Sequence, residues 1–355
     1  MNQTEARLDN LLSTAQAETV NIDLFAPISQ PHWEYNNKIS RPYNFSHHVC
    51  ETSYLNPKDC TQTSQHCNDD LMNWVYLDET NTPLPKFSVD GFRCAMRNKR
   101  LVFIGSSLMR ALSWTLGHTH INWSKIHTKE LEEQIEIPCT APRSCFIDVQ
   151  DNITICFQFM GTMTTNIYLE ENYTLNLSLR GHGDSSCLLH DDMIANLGEF
   201  DMVFFQPPIV WWSGTRNALS SDSSPKEWLQ KIIPIVYYDA LNDFPTKISK
   251  RTKPILVLGQ IGTACQNKTQ PEAWSAKDIP DSYGWQLAPT LWNETLLLIE
   301  ERKLNVQIVD AREPLMQSVH AHPSTAPDCL HFCMNSAAVN IYLDKYWNEV
   351  FSLYL

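Results

Sequence analysis

The chain has no Lys/Arg-rich run, no stretch of about 18 apolar residues, and no C-x-x-C pair matched by a second one. Each absence removes a class of function. Neutralising nucleic-acid or lipid phosphates takes a basic patch, whereas here 27 Lys+Arg stand against 40 Asp+Glu, for a formal net charge of −13. Nucleic acid is not an expected partner, and a sugar or another uncharged substrate suits this surface better. Without an apolar stretch of spanning length, the sequence as given offers no membrane helix. Unmatched cysteine spacing argues against a zinc ribbon. Internal repeats, low-complexity tracts and a glycine-rich phosphate cradle are also missing. Histidines are scattered: His118, His120 and His127 read as a solvated loop beyond a helix, without a nearby carboxylate pair, and His182 and His190 are isolated. No metal is expected.

What the chain does contain points to a large, cross-linked globular protein. Of its 355 residues, 43% are hydrophobic and 19% charged, which excludes an intrinsically disordered chain. There are 11 cysteines: Cys50, Cys60, Cys67, Cys94, Cys139, Cys145, Cys156, Cys187, Cys265, Cys329 and Cys333. Buried reduced thiols and a disulfide framework are the two readings. Asn-x-Ser/Thr sequons favour the second; they begin at Asn2, Asn44, Asn122, Asn152, Asn172, Asn176, Asn267 and Asn293. Together these features imply an oxidising, glycosylating secretory compartment. The opening MNQTEARLDNLL has no apolar signal core, so the expectation is that a targeting or anchoring segment lies outside this chain. An odd cysteine count leaves at least one thiol unpaired or bonded to another chain.

The organisation changes along the sequence. Residues 1–83 are polar and poor in periodic runs, and hold three cysteines; they read as a loop-rich, disulfide-rich cap. Residues 84–355 read as one α/β domain. Short apolar runs recur there: Leu101–Ile104, Ile155–Phe159, Met202–Phe205, Ile255–Leu258 and Val306–Val309. Most are continuous rather than alternating, as expected for strands buried on both faces of a mostly parallel sheet. Between them lie helical patterns: Leu108 to Leu116, a segment from Pro225 through Val236, about Leu287–Glu301, and a closing face of Val339, Tyr342, Leu343, Tyr346, Trp347, Val350 and Phe351. Strands alternating with helices predict a three-layer α/β/α architecture.

In such folds the site lies beyond the carboxyl ends of the strands. After the first strand comes Gly105-Ser106-Ser107, a tight turn into a helix whose amino terminus offers N–H groups to an oxyanion. Ser107 is therefore a candidate nucleophile, with helix capping as the alternative. Asp328-Cys329-Leu330-His331 carries both a base and an orienting carboxylate, and Cys329 and Cys333 flank the histidine. The alternative is a surface Asp and a core His that merely share a segment. Trp211, Trp212, Trp274 and Trp285 are candidate sugar-stacking platforms, with core packing as the ordinary reading of each.

Two long blocks resemble a known family. LPKFSVDGFRCAMRNKRLVFIGSSLMR (Leu84–Arg110) is similar to the first catalytic block of the plant trichome birefringence-like proteins, within the PC-esterase group. VDAREPLMQSVHAHPSTAPDCLHFC (Val309–Cys333), with His322-Pro323-Ser324 and Asp-Cys-x-His-x-Cys, resembles their last block, and NSAAVNIYLDKYWNEVF their closing helix. The resemblance implies an SGNH-hydrolase-like fold. It also implies acetyl transfer to hydroxyls of cell-wall polysaccharide in the Golgi lumen. No tightly bound cofactor is implied, and acetyl-CoA is the donor considered. On this reading Ser107 is the nucleophile, His331 the general base and acid, and Asp328 its orienting carboxylate; Gly105 and Arg110 support the turn. Gln206 and Gly161 are the oxyanion candidates. Two positions depart from the family pattern. Its Gly-Asp-Ser is Gly105-Ser106-Ser107 here, and its Asn block reads Phe205-Gln206-Pro207-Pro208 before Trp211-Trp212, one residue longer. A carbohydrate esterase using water as acceptor, and a glycan-binding relative without catalysis, are the rival expectations.

Overall fold

The structure is a computed structural model that describes residues 31–36, 73–105, 107–124, 128–133, 143–159, 168–169, 173–174, 197–206, 250–259, 288–322, 331–333 and 336–355. In chain order its elements are β1 (His32–Tyr35), β2 (Trp74–Leu77), α1 (Val89–Met96), β3 (Arg100–Gly105), α2 (Ser107–Ser124), β4 (Thr128–Glu133), β5 (Arg143–Asp148) and β6 (Ile153–Phe159). Then come β7 (Tyr168–Leu169), β8 (Tyr173–Thr174), β9 (Met202–Phe205), β10 (Lys253–Leu258), α3 (Ala288–Arg302), β11 (Gln307–Asp310), α4 (Arg312–Met316) and α5 (Ala337–Glu349). Short 3-10 turns cover Val319–Ala321 and Phe351–Tyr354.

A seven-stranded sheet in the order β11-β10-β9-β3-β6-β5-β4 organises the molecule. Its first five strands are mutually parallel, and β5 and β4 extend it antiparallel. Numbered by their order along the chain, the parallel strands lie 2-1-3-4-5 across the sheet. The chain runs outward from β3 to β6, then returns to the other side of β3 to place β9. That reversal opens a crevice between the carboxyl ends of β3 and β9, where doubly wound sheets bind ligands.

Burial on both faces explains the continuous apolar runs. Leu101, Phe103, Met202, Phe204, Ile255, Val257 and Val309 share one cluster with Met109, Leu112 and Leu116 of α2 and with Tyr342 and Tyr346 of α5. On the opposite face Val102, Ile104, Val203, Phe205, Leu256 and Leu258 are each at most 1% exposed. At the centre the Phe103 and Phe204 rings stack at 4.5 Å and 6°, and Tyr346 meets them edge-on at 5.9 and 5.2 Å.

The amino-terminal strands β1 and β2 pair as an antiparallel ribbon. Trp33 and Tyr76 of that ribbon join the same apolar cluster, and Trp33 Nε1 donates to the Pro314 carbonyl at 3.0 Å. Helix α1 begins where the Ser88 hydroxyl accepts from the Gly91 N–H at 3.1 Å, and it buries Phe92, Ala95 and Met96. Arg93 pairs with Asp151 at 2.6 Å, tying α1 to the β5–β6 turn.

The expected parallel strands and the closing helix lie within a residue or two of their sequence-based limits, and α3 matches as well. The β1–β2 ribbon, β7, β8 and α4 were not among the expected elements, and three further features differ. Strands β4 and β5 were not anticipated: β4 reads Thr-Lys-Glu-Leu-Glu-Glu, a charged edge without the apolar period of an interior strand. Helix α1 was not anticipated either. Finally, His118 and His120 sit inside α2, not beyond it, since the helix runs to Ser124. Gly117 weakens that helix locally, but a Cβ there would come within 2.7 Å of Phe146 Cε2, so close packing on β5 carries the helix through. The helix expected from Pro225 lies outside the described residues.

The Tyr346 hydroxyl is fully buried and has no hydrogen-bond partner among the described residues. Replacing it should therefore cost nothing. Tyr346→Phe is expected to leave unfolding stability unchanged or raise it by up to about 1 kcal/mol. Phe204→Ala, by contrast, should lose about 3–5 kcal/mol. Urea unfolding of both variants checks the pair, and a destabilised Tyr346→Phe would reveal an unrecognised partner.

Candidate active site

The crevice is built by the residues just after each central strand. Strand β3 ends at Gly105, whose φ of +150° is open to glycine and strained for other residues. A Cβ there would stand 2.7 Å from Met109 Cγ, so both conformation and space demand glycine. Two residues later Ser107 opens α2, placing its backbone at the helix amino terminus. No acidic side chain occupies the first turn of α2, so the helix itself adds no carboxylate at the positive end of its dipole.

Gln206 lies across from Gly105. Its N–H donates to the Ile104 carbonyl at 3.3 Å, extending the β3–β9 ladder by one residue. Gln206 is 7% exposed, and its Oε1 is buried without a hydrogen-bond partner among the described residues. The amide nitrogen faces β10, 3.4 Å from where a Cβ on Gly259 would be. The Tyr342 hydroxyl of α5 presses on that same glycine.

The contacts of α5 set its direction. Tyr342 touches Gly259 at the carboxyl end of β10, Tyr346 packs on Phe103 and Phe204 lower in the sheet, and Tyr354 receives Lys253 at the amino end of β10, 5.4 Å from its ring centre. The helix therefore runs antiparallel to the strands. Its amino-terminal cap Ser336 stands six residues above Tyr342, about 9 Å along the axis. The segment His331–Cys333, just before that cap, consequently lies on the same carboxyl edge as Gly105, Ser107 and Gln206.

That segment is held tightly. The Cys333 N–H donates to the Ala321 carbonyl at 2.8 Å, and His322 Nδ1–H donates to the His331 carbonyl at 2.9 Å. The His322 ring also packs on Phe332 at 4.5 Å. His331 and His322 are each 6% exposed. Cys333 is disulfide-bonded, and a second disulfide joins Cys145 to Cys156 across β5 and β6. Cys94 is an exposed free thiol.

The structure thus brings Gly105, the backbone of Ser107, Gln206 and the His331 segment to one edge. Arg110 lies one turn into α2, its guanidinium over the Trp114 ring at 5.3 Å, and burial lowers its pKa. Asp328, Gly161, Cys329, Ser106, His127, His182, His190, Trp211, Trp212, Trp274 and Trp285 lie outside the described residues. So do the sequon asparagines Asn2, Asn44, Asn172, Asn176 and Asn267. Of the remaining sequons, Asn152 is exposed in the β5–β6 turn, Asn293 is exposed on α3, and Asn122 falls in the last turn of α2.

Sequence reasoning missed His320 and gave His322 no role. Among the described residues neither ring nitrogen of His320 has a hydrogen-bond partner, and the residue is 4% exposed. Its ring stands against Trp74 at 5.0 Å and Trp33 at 6.1 Å. Burial, reinforced by His322, lowers its pKa to about 4. His322 was visible inside the His-Pro-Ser block, but a long-range hydrogen bond leaves no local signature.

Among the described residues no three His, Cys, Asp or Glu side chains are placed to share a metal ion, and no helix is long and apolar enough to cross a membrane. A cavity of about 40 Å³ between the ribbon and α5 is lined by Trp33, Trp74, Asn340 and Asp344; it has room for a few waters, not for a sugar ring. No protein-family model matches the chain, and no curated protein matches it.

This geometry has two measurable consequences. Gly105→Ala should cost about 1–3 kcal/mol through backbone strain alone, more once Met109 is displaced, and should disturb the Ser107 turn; a variant with wild-type stability would contradict the tight turn. His320 gives a pH signature. The unfolded chain protonates it near 6.5 while the folded chain holds it neutral down to about 4. Stability is lost as pH falls through that window, by about 3 kcal/mol. Asp344, raised to about 6 by burial, works in the opposite sense, losing stability as pH rises from about 4 to 6. Subtracting the curve of His320→Phe removes that contribution. Urea midpoints of the two proteins should therefore diverge between pH 7 and 4, with wild type falling; parallel curves would count against a neutral buried His320.

Proposed function

We propose that this chain is an O-acetyltransferase acting on polysaccharide hydroxyls through an acetyl-serine intermediate, built on a three-layer SGNH-hydrolase-like fold. One observation carries the reading. A strand-Gly-x-Ser-helix turn stands at the switch point of a 2-1-3-4-5 sheet, and the His331 segment stands on the same edge. The two resembling sequence blocks supply these same two pieces of chain, which otherwise lie far apart in sequence.

In the first step His331 takes the proton from the Ser107 hydroxyl as its oxygen attacks the acetyl carbonyl of the donor. Charge develops on the carbonyl oxygen, where N–H groups at the amino terminus of α2 stabilise it. The Gly161 N–H is a further candidate donor. Gln206 joins as donor only with its amide turned away from Gly259. His331 returns the proton to the leaving group; with acetyl-CoA as donor that group is the CoA thiolate. In the second step a sugar hydroxyl gives its proton to His331 and attacks the acetyl-serine carbonyl; the bond to Ser107 Oγ breaks, His331 returns the proton to that oxygen, and the sugar leaves as the acetyl ester. Asp328 fixes the imidazole tautomer throughout. Cys145–Cys156 and the bonded Cys333 support a secretory setting, for which the Golgi lumen is the proposal. The negative surface suits a neutral glycan partner.

The test is direct. Incubation with an acetyl donor should label Ser107 with one acetyl group, read by peptide mass spectrometry, and Ser107→Ala should lower transfer by at least about 10³-fold. Absence of labelling, with no transfer above background in wild type or Ser107→Ala, would leave a glycan-binding role instead. Release of acetate to water at the rate of transfer to xylan, mannan or pectin oligosaccharides would make the enzyme an esterase.

A further inference from the structure

We propose that His322 is a positioning residue that holds the proposed base in place. This role rests on the acetyltransferase reading and adds a residue to it. Residues 322 and 331 mark the two ends of the stretch that carries Asp328, and they are joined directly. His322 Nδ1–H donates to the His331 carbonyl at 2.9 Å, fixing the peptide plane that leaves His331. Two residues on, the Cys333 N–H donates to the Ala321 carbonyl at 2.8 Å. The backbone of His331–Cys333 is therefore pinned at two points to the 3-10 turn Val319–Ala321 and its cap His322. Phe332 fills the space between by packing on the His322 ring.

The turn itself is braced from behind. His320 lies against Trp33 and Trp74 of the ribbon, and Gln317 Nε2 donates to the Pro31 carbonyl at 3.1 Å. His322 thus transmits a rigid support to the backbone of the base, and its bond is buried. Nδ1 carries a proton in both the cationic form of the ring and the neutral tautomer that makes this bond, so titration of His322 leaves the clamp intact. Loss of activity at low pH, the acid limb of the activity profile, is therefore not expected to come from this bond.

Two substitutions separate the donor from the ring. In Asn the side-chain NH₂ can stand where Nδ1–H stands; in Phe the ring remains and the donor is lost. In full-length His322→Phe, hydrogen exchange of peptides spanning 331–336 should speed up. kcat for acetyl transfer should drop about 10–100-fold with KM little changed, as for supporting residues that orient a reactive group. In His322→Asn, slow exchange should return, kcat should recover to within about threefold, and the acid limb should not move. Unchanged exchange in His322→Phe overturns the clamp. Faster exchange with unchanged kcat overturns the positioning role. An Asn variant as inactive as the Phe variant, or with a displaced acid limb, makes His322 a participant in proton transfer and equally overturns it. If wild type never acetylates Ser107, the acetyltransferase reading fails, while the exchange measurement still decides whether the clamp exists.

Discussion

Tyr346 against the stacked Phe103 and Phe204 rings is the contact on which the rest of the arrangement depends. It joins the last helix to the two strands that flank the switch point, and it does so in the middle of the sheet. With that point pinned and Tyr342 on Gly259 above it, α5 has only one direction available. Its amino-terminal end must then emerge over the carboxyl edge, carrying His331–Cys333 with it. An aromatic cluster with no chemistry of its own thus decides which residues share the crevice. Its large apolar rings serve this purpose because they bury more area than any other side chains.

A second layer of constraint surrounds the first. Trp33 and Tyr76 of the amino-terminal ribbon join the apolar cluster of the sheet. Through His320 the ribbon reaches the short turn that grips the His331 segment, and through Pro314 it reaches α4. Polar groups are used sparingly here and mostly at the margins. Arg93 with Asp151 and Arg312 with Asp310, at 2.6 Å, tie elements at the rim, where partial exposure keeps each pair's contribution small. Among the described residues, buried polar atoms without hydrogen-bond partners include those of His320, Tyr346 and Gln206, where the structure tolerates a desolvation cost. Two belong to packing; that of Gln206 lies at the crevice, where an acceptor awaiting a donor is compatible with a binding role.

Much of this was legible in the chain. Runs such as Leu101–Ile104 and Met202–Phe205 identify themselves as strands because both of their faces are buried, and that same burial makes them central. Gly105-Ser106-Ser107 reads as a tight turn because a strand leads directly into an apolar-periodic helix. Strand β4 was illegible because an edge strand does not need an apolar period. Helix α1 went unrecognised although Ser88 caps it, since its apolar face spans only two turns. The extent of α2 through His118 and His120 was hidden because Gly117 weakens the local signal while packing on Phe146 overrides it.

The sequence by itself determined the α/β class, the five parallel strands, the closing helix and the turn that presents Ser107, because all of these are local patterns of burial and backbone conformation. Strand order, the direction of α5, the shared edge of Ser107 and His331, and the grip of His322 on the His331 carbonyl were decided only in the tertiary structure. Each of those rests on contacts between residues that are distant along the chain or joined through backbone atoms. Such contacts carry no periodicity and no residue-type signature, so composition and spacing contain no trace of them.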